Sequence, residues 1–295
     1  MGLSDTTEHI KSDHYSIDCH IHLWELALLQ KTWVPPEILR HTFLASDFSD
    51  AIRPLSIQGS ILIESGTSAD DERSMWQLAQ PDQVSAVITY LDITDNDIDS
   101  KLDLWQAKKK FRGVRIRLEG HPSPEDLFTD HALANLKILA SRGVIVEFLC
   151  TTNQLMYVVQ VADTVPQLKF VIDHMGKPDL INGTDANLWT DHMTRLANHT
   201  NAHVKLSISP RADQIPLVEN STFKWPTDVI RDRTQLLLDR FGSCRLMWGS
   251  DWPITLLTGD YQDILKTMND AIGKTNQDSH NLIFGDTARA FYSLY

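Results

Sequence analysis

Eight short runs rich in β-formers, separated by longer stretches of helical periodicity, constrain this chain more than any other feature. The runs are Ser16–Cys19, Gly59–Ile63, Val84–Leu91, Gly113–Leu118, Val144–Leu149, Leu168–Ile172, His203–Leu206 and Arg245–Trp248. Several are almost continuously apolar, such as Ser60-Ile61-Leu62-Ile63 and Val144-Ile145-Val146. Such runs suit parallel strands buried on both faces. Helical patterns fall between them at Ala69–Ala79, Asp97–Lys109, Asp130–Ser141, Gln154–Asp163, Asn187–His199, Thr227–Phe241 and Tyr261–Ile272, and a last helix is expected over His280–Tyr295. Gly143 is placed to stop the Asp130–Ser141 helix. Strand and helix in alternation imply βαβ units with right-handed crossovers. Eight repeats in 295 residues fit an α/β chain closed as a (β/α)₈ TIM barrel. The competitor, a doubly wound open sheet, carries a Gly-rich phosphate turn after its first strand. Here that place holds His20-Ile21-His22-Leu23-Trp24. The expected organisation is an N-terminal arm over residues 1–15 and one barrel domain over residues 16–295. Two longer irregular stretches, about Trp24–Ser56 and Ser207–Trp225, each follow a strand and so lie on the face where barrels build active sites.

Charge narrows the partners. Asp and Glu number 39 against 27 Lys and Arg, a net charge of -12. Nucleic-acid binding needs a basic stripe, and the densest basic cluster, Lys108-Lys109-Lys110, reads as a solvated helix end. No apolar run approaches the roughly 18 residues that span a bilayer, and the polar N-terminus is no secretory signal. The three cysteines, Cys19, Cys150 and Cys244, are too few and too scattered for a disulfide framework and read as small buried apolar groups. Cytoplasmic placement follows, with a small-molecule substrate, no nucleic acid and no membrane.

Chemistry-bearing residues gather at the ends of the expected strands. His20 and His22, two apart, share a face at the end of the first strand. Arg115 and Arg117 lie on the fourth. Asp173-His174-Met175-Gly176-Lys177-Pro178 follows the sixth. Lys205 lies on the seventh, with Arg211 soon after. Trp248-Gly249-Ser250-Asp251-Trp252-Pro253 follows the eighth. A barrel brings these ends to one mouth. Lys205 is expected to neutralise Asp251 or Asp173. Arg117 is a substrate ligand or a partner of Glu119. Trp24, Trp33 and Trp252 are either pocket walls or anchors of core and loop. The other histidines, including His9, His14 and His41, read as surface groups.

With these pieces in order, the chain resembles the amidohydrolase superfamily, within it the amidohydrolase 2 branch, and there the lactonases of sugar lactones and of pyrone dicarboxylate more than the decarboxylases. The resemblance rests on Asp18-Cys19-His20-Ile21-His22-Leu23-Trp24, Gly113-Val114-Arg115, Ile172-Asp173-His174-Met175-Gly176-Lys177-Pro178, Val204-Lys205-Leu206-Ser207 and Trp248-Gly249-Ser250-Asp251-Trp252-Pro253. It implies a hydrolase that opens a lactone or similar cyclic ester. Asp251 would activate water, with His20, His22 and His174 polarising the carbonyl. Arg115, Arg211, Arg117 and Trp24 would bind a carboxylate or polyhydroxylated substrate. It also implies a divalent ion, zinc or manganese, on His20, His22 and Asp251, with Glu147 as a further ligand and metal-free catalysis as the open alternative. Many relatives carry a histidine after strand five, where this chain reads Val146-Glu147-Phe148-Leu149-Cys150-Thr151, so a two-metal site is not expected. The alternative within the resemblance is a metal-dependent decarboxylase of an aromatic or unsaturated acid. Monomer and homodimer are both compatible with it.

Overall fold

The computed structural model describes residues 16–29, 35–218 and 223–294; the expected N-terminal arm and Trp33 lie outside them. Eight parallel strands stand side by side in chain order: β1 (Ser16–Ile21), β2 (Ile57–Ile63), β3 (Val84–Tyr90), β4 (Phe111–Arg117), β5 (Ile145–Leu149), β6 (Phe170–Ile172), β7 (Ala202–Leu206) and β8 (Leu246–Trp248). The barrel read from alternation is therefore the fold, and the strand bounds move by at most two residues. The helices sit where expected for local reasons. Ser68 and Asp71 form a capping box ahead of Ala69–Leu78, and the Thr129 and Asp260 side chains cap Asp130–Ser141 and Tyr261–Ile272. Each takes up an N–H that the first turn leaves unpaired. Gly143, at φ +66°, follows the Asp130–Ser141 helix in the left-handed region that glycine occupies at no steric cost.

Two expectations need correction. The Trp24–Ser56 stretch is not all irregular: Ala45–Ile52 is a helix that buries Phe48 and Ile52. The C-terminal helix is not continuous. It runs as Gln277–Asn281, a π turn over Leu282–Asp286, and Thr287–Tyr292. That last piece closes the bottom of the barrel. Ala288, Phe291 and Tyr292 join Ile17, Cys19, Ile61, Ile63, Ala86, Ile88, Ile145, Val171 and Met247 in one buried lumen cluster. The outward residues of the strands form the second, larger core with the helices. Cys19 and Cys150 are buried free thiols, but Cys244 is exposed, contrary to the apolar reading. Among the described residues no helix is long and apolar enough to cross a membrane.

The seam between first and last strands is closed by the residues after β8 rather than by β8 itself. Ile21 bridges Trp252 in parallel, the His22 N–H donates to the Trp252 carbonyl (2.7 Å) and the Asp251 N–H to the His20 carbonyl (2.9 Å). Across from this seam β1 slips register against β2 between Asp18 and Ile21. The slip lets neighbours Cys19 and His20 both turn inward, as a bulge does. Asp18 is left facing out, where it accepts from the Tyr261 hydroxyl (2.9 Å) and the Ser250 N–H (2.9 Å). Burial pushes the Asp18 carboxyl up to about 6, against the hydrogen bonds from Ser250, His20 and Tyr261.

Candidate active site

The mouth collects three imidazoles and a carboxylate. His20 Nε2 is 3.2 Å from His22 Nε2 and 3.7 Å from Asp251 Oδ1; His22 Nε2 is 3.3 Å, and His174 Nε2 4.0 Å, from the same oxygen. All four side chains are buried. Their backbones are held in uncommon conformations. His174, Met175 and Lys177 have φ of 49°, 57° and 43°, and Asp251 has φ of 60°. Non-glycine residues in this region carry strain that the surrounding structure must impose. Gly249 makes room for the arrangement: a Cβ there would lie 2.7 Å from the His20 Cβ, 3.0 Å from the His20 nitrogen and 3.2 Å from the Cys19 sulfur. Gly249→Ala is therefore expected to push β1 off the seam and lower stability by about 1–3 kcal/mol. An unchanged urea midpoint would show that the seam has slack.

The partners of the rings fix their protons. A backbone carbonyl only accepts, so His22 donates from Nδ1 to Ile63 O (3.1 Å) and turns Nε2 toward Asp251. An ammonium only donates, so His20 Nδ1 accepts from Lys205 Nζ (3.1 Å), and a neutral ring carries its proton on Nε2. His174 donates from Nδ1 to Ser207 Oγ (2.7 Å), with Nε2 facing the Arg115 guanidinium at 3.5 Å. Burial, reinforced by Lys205 and Arg115, holds the His20 pKa well below its usual value; burial does the same for His174. Burial alone would raise the Asp251 carboxyl, but His174, His22 and the Ser209 hydroxyl outweigh it and hold it at about 2. The site thus presents the neutral imidazoles of His20 and His174 beside an ionised carboxylate.

Beneath this layer lies a buried ionic network. Lys205 Nζ reaches Glu147 Oε2 (2.5 Å) and Asp173 Oδ1 (3.2 Å). Arg115 binds Asp173 (2.9 Å) and approaches Glu64 (3.6 Å), and Arg117 grips Glu64 with two nitrogens. Lys205 therefore neutralises Asp173, one of its two expected partners, and Arg117 pairs with Glu64 rather than Glu119. Glu119 instead takes Lys177 (2.6 Å) and the Ala212 N–H (3.1 Å), tying the loops after β4, β6 and β7 together. Arg211 lies in the loop after β7 and pairs with Asp213 (3.1 Å).

Two expected site residues sit elsewhere. Glu147 is not placed to ligate a metal: both carboxylate oxygens are committed deeper in the barrel, to Lys205 and to the Tyr292 hydroxyl (2.5 Å). Trp24 donates its indole N–H to the His41 carbonyl (2.7 Å) and packs on Phe43, which anchors its loop. Glu64 and the pairing of Asp173 with Arg115 were missed. Glu64 stands one residue past β2, so the strand-end rule that found the histidines reaches it too.

Among the described residues two groups have metal-ligand geometry: His20, His22 and Asp251, and His20, Asp173 and His174. Separations of 3.2, 3.3 and 3.7 Å in the first match the roughly 3.3 Å edge of a tetrahedron built from zinc bonds. His22 Nε2 and Asp251 Oδ1 face one another there at 3.3 Å, a pairing that takes a cation or proton between them. His22 already donates its far nitrogen to a carbonyl, as metal-bound histidines do. For His20 the corresponding acceptor is Asp173 Oδ1, 3.5 Å from Nδ1, buried and without an aligned hydrogen bond. The donor set fits a divalent ion.

Comparison with known proteins agrees with the geometry. A family model described as amidohydrolase matches residues 17–294. The chain is 26% identical over 293 residues to an L-fucono-1,5-lactonase of Burkholderia ambifaria, covering 95% of this chain and 96% of that one. It is 25% identical over 291 residues to an L-fucono-1,5-lactonase of Burkholderia multivorans, covering 94% and 96%. Among solved structures it is similar to an amidohydrolase from Burkholderia multivorans with bound zinc, at 22% identity and TM-score 0.81 over 95% of this chain and 100% of the other. It is also similar to a putative 2-pyrone-4,6-dicarboxylic acid hydrolase from Pseudomonas putida, at 24% identity and TM-score 0.74 over 96% and 99%.

Proposed function

This chain belongs to the amidohydrolase family, and from that premise we propose that it hydrolyses a neutral, polyhydroxylated lactone. The names of the two Burkholderia relatives support lactone opening. The observation that carries the substrate class is the pairing of the mouth cations. Arg115, Arg117, Lys177, Lys205 and Arg211 each already face a protein carboxylate. An acidic substrate would have to displace one of these; a sugar lactone needs only hydrogen bonds.

The reaction follows from the charges. Asp251, kept ionised, accepts a proton from water as the water oxygen attacks the lactone carbonyl carbon. In the metal-free site the Nε2–H of His20 stands by the oxygen that gains charge, and the imidazole of His174, held by Ser207 and Arg115, lines the same site. Collapse of the tetrahedral adduct breaks the bond to the ring oxygen, and Asp251 returns the proton to that leaving alkoxide. A divalent ion, zinc or manganese, would be held by His20, His22 and Asp251, in place of the His20 Nε2 proton and with the ring's proton on Nδ1 toward Asp173, and would act as a Lewis acid on the carbonyl. The buried free thiols suit a reducing compartment, and we place the protein in the cytoplasm, as a monomer or homodimer.

The test compares neutral 1,4- and 1,5-sugar lactones with a pyrone dicarboxylate, following proton release. Breaking a buried ion pair costs about 3 kcal/mol or more, so neutral lactones are expected to lead in kcat/KM by about 100-fold or more. Equal turnover of the dicarboxylate would refute the substrate class. No turnover of any lactone would refute the reaction.

A further inference from the structure

We propose that Asp18, anchored by the Tyr261 hydroxyl, is a positioning residue that fixes how far His20 stands from Asp251 across the seam of the barrel. Asp18 takes no part in the chemistry above. Its carboxylate is wholly buried and, among the described residues, pairs with no cation. A buried carboxylate without a counter-charge is costly unless its oxygens are well supplied with donors. Here the donors are the two strand ends that meet at the seam. Asp18 Oδ1 accepts from both the His20 N–H (3.1 Å) and the Ser250 N–H (2.9 Å). One oxygen thus draws together the backbone of the first imidazole and the residue just before the reacting carboxylate. The other oxygen accepts from the Tyr261 hydroxyl (2.9 Å). Tyr261 opens the Tyr261–Ile272 helix, and its ring packs against Trp248 and Phe48, so the hydroxyl is a fixed point. The Ser250 hydroxyl, which also faces this carboxylate, accepts from the Trp252 N–H (2.9 Å) and closes the turn that holds Asp251 at φ 60°. Without the Tyr261 hydroxyl the carboxylate is free to rotate and give one oxygen to each N–H. The two strand ends then no longer converge on one atom. The seam widens beneath the 3.7 Å approach of His20 Nε2 to Asp251 Oδ1.

The kinetic arm of the test rests on the lactonase reading; the exchange arm needs neither substrate nor metal. Amide hydrogen exchange of the full-length protein is followed by NMR at His22, Ser250 and Asp251 on the seam. The reference is Val146 on β5, across the barrel, whose N–H donates to the Lys169 carbonyl. Tyr261→Phe keeps the ring and removes only the hydroxyl. It is expected to speed the seam amides about tenfold relative to Val146 and to lower kcat about tenfold, with KM changed less than about twofold. Asp18→Ala is expected to lose at least as much on both readouts. Asp18→Asn keeps an oxygen for the two N–H groups and is expected to recover most of that loss. Leu136→Ala is the control. Leu136 is buried in the Asp130–Ser141 helix between β4 and β5, opposite the seam. Its loss should destabilise the fold, speed Val146 at least as much as the seam, and leave kcat unchanged. Seam amides that only keep pace with Val146 in Tyr261→Phe, an Asp18→Asn variant no better than Asp18→Ala, or an equal kcat loss in Leu136→Ala would each overturn the proposal. If Asp18→Ala does not fold, Tyr261→Phe against Leu136→Ala decides it. If no lactone is turned over, exchange alone decides it.

Discussion

Asp251→Asn is expected to lower kcat by about three orders of magnitude while leaving the barrel folded. An amide cannot take a proton from water, and it would stand where His22 Nε2 now meets a carboxylate oxygen at 3.3 Å. The backbone should tolerate the change. Asp251 sits at φ 60°, a region that asparagine enters more readily than most residues. Its N–H bond to the His20 carbonyl does not involve the side chain. Steady-state kinetics beside a thermal melt would check this. A variant with near-normal turnover would remove Asp251 from the chemistry, whatever the melt showed.

Lys205→Met is expected to be the most destabilising change in the site, by about 3–5 kcal/mol. Methionine fills the volume of the lysine stem, so packing changes little. What is lost is the cation between Glu147 and Asp173, both wholly buried. Asp173 keeps Arg115 at 2.9 Å, but Glu147 keeps only the Tyr292 hydroxyl. Burial already raises the Glu147 carboxyl to about 7 against the attraction of Lys205, and losing Lys205 raises it further. A carboxyl whose folded pKa exceeds its unfolded value stabilises the fold as pH drops through the folded value. The loss should therefore be largest above pH 7 and ease toward pH 5. Urea unfolding at the two ends of that range measures it. A loss under about 1 kcal/mol at pH 8 would mean that water or a rearranged Arg115 reaches Glu147.

Much of this was readable from the chain, for identifiable reasons. A strand covered on both faces must be apolar at nearly every position, so runs such as Ser60–Ile63 announce parallel strands without ambiguity. Residues at strand ends converge in a barrel, which is why His20, His22, His174 and Asp251 could be grouped although 231 positions separate the first from the last. What stayed hidden depends on angle around the barrel rather than on sequence. Nothing in the spacing says that Arg117 turns to Glu64 across two strands, or that Glu147 points down to Tyr292 instead of up to the histidines. The Ala45–Ile52 helix was lost for another reason: two turns carry too few apolar repeats, here Phe48 and Ile52, to show a period.

The seam has a consequence for how the protein is made. Until residues 251 and 252 leave the ribosome, β1 has no partner on one side, and a bare parallel edge carrying His20 and His22 is open to any strand that meets it. The bonds that finally cover it, from Trp252 and Asp251, bring in the carboxylate of the site in the same movement. A nascent chain therefore has no stage at which it is closed but inert, or open but competent. Residues 251 and 252 convert an aggregation-prone edge into a working mouth in one step.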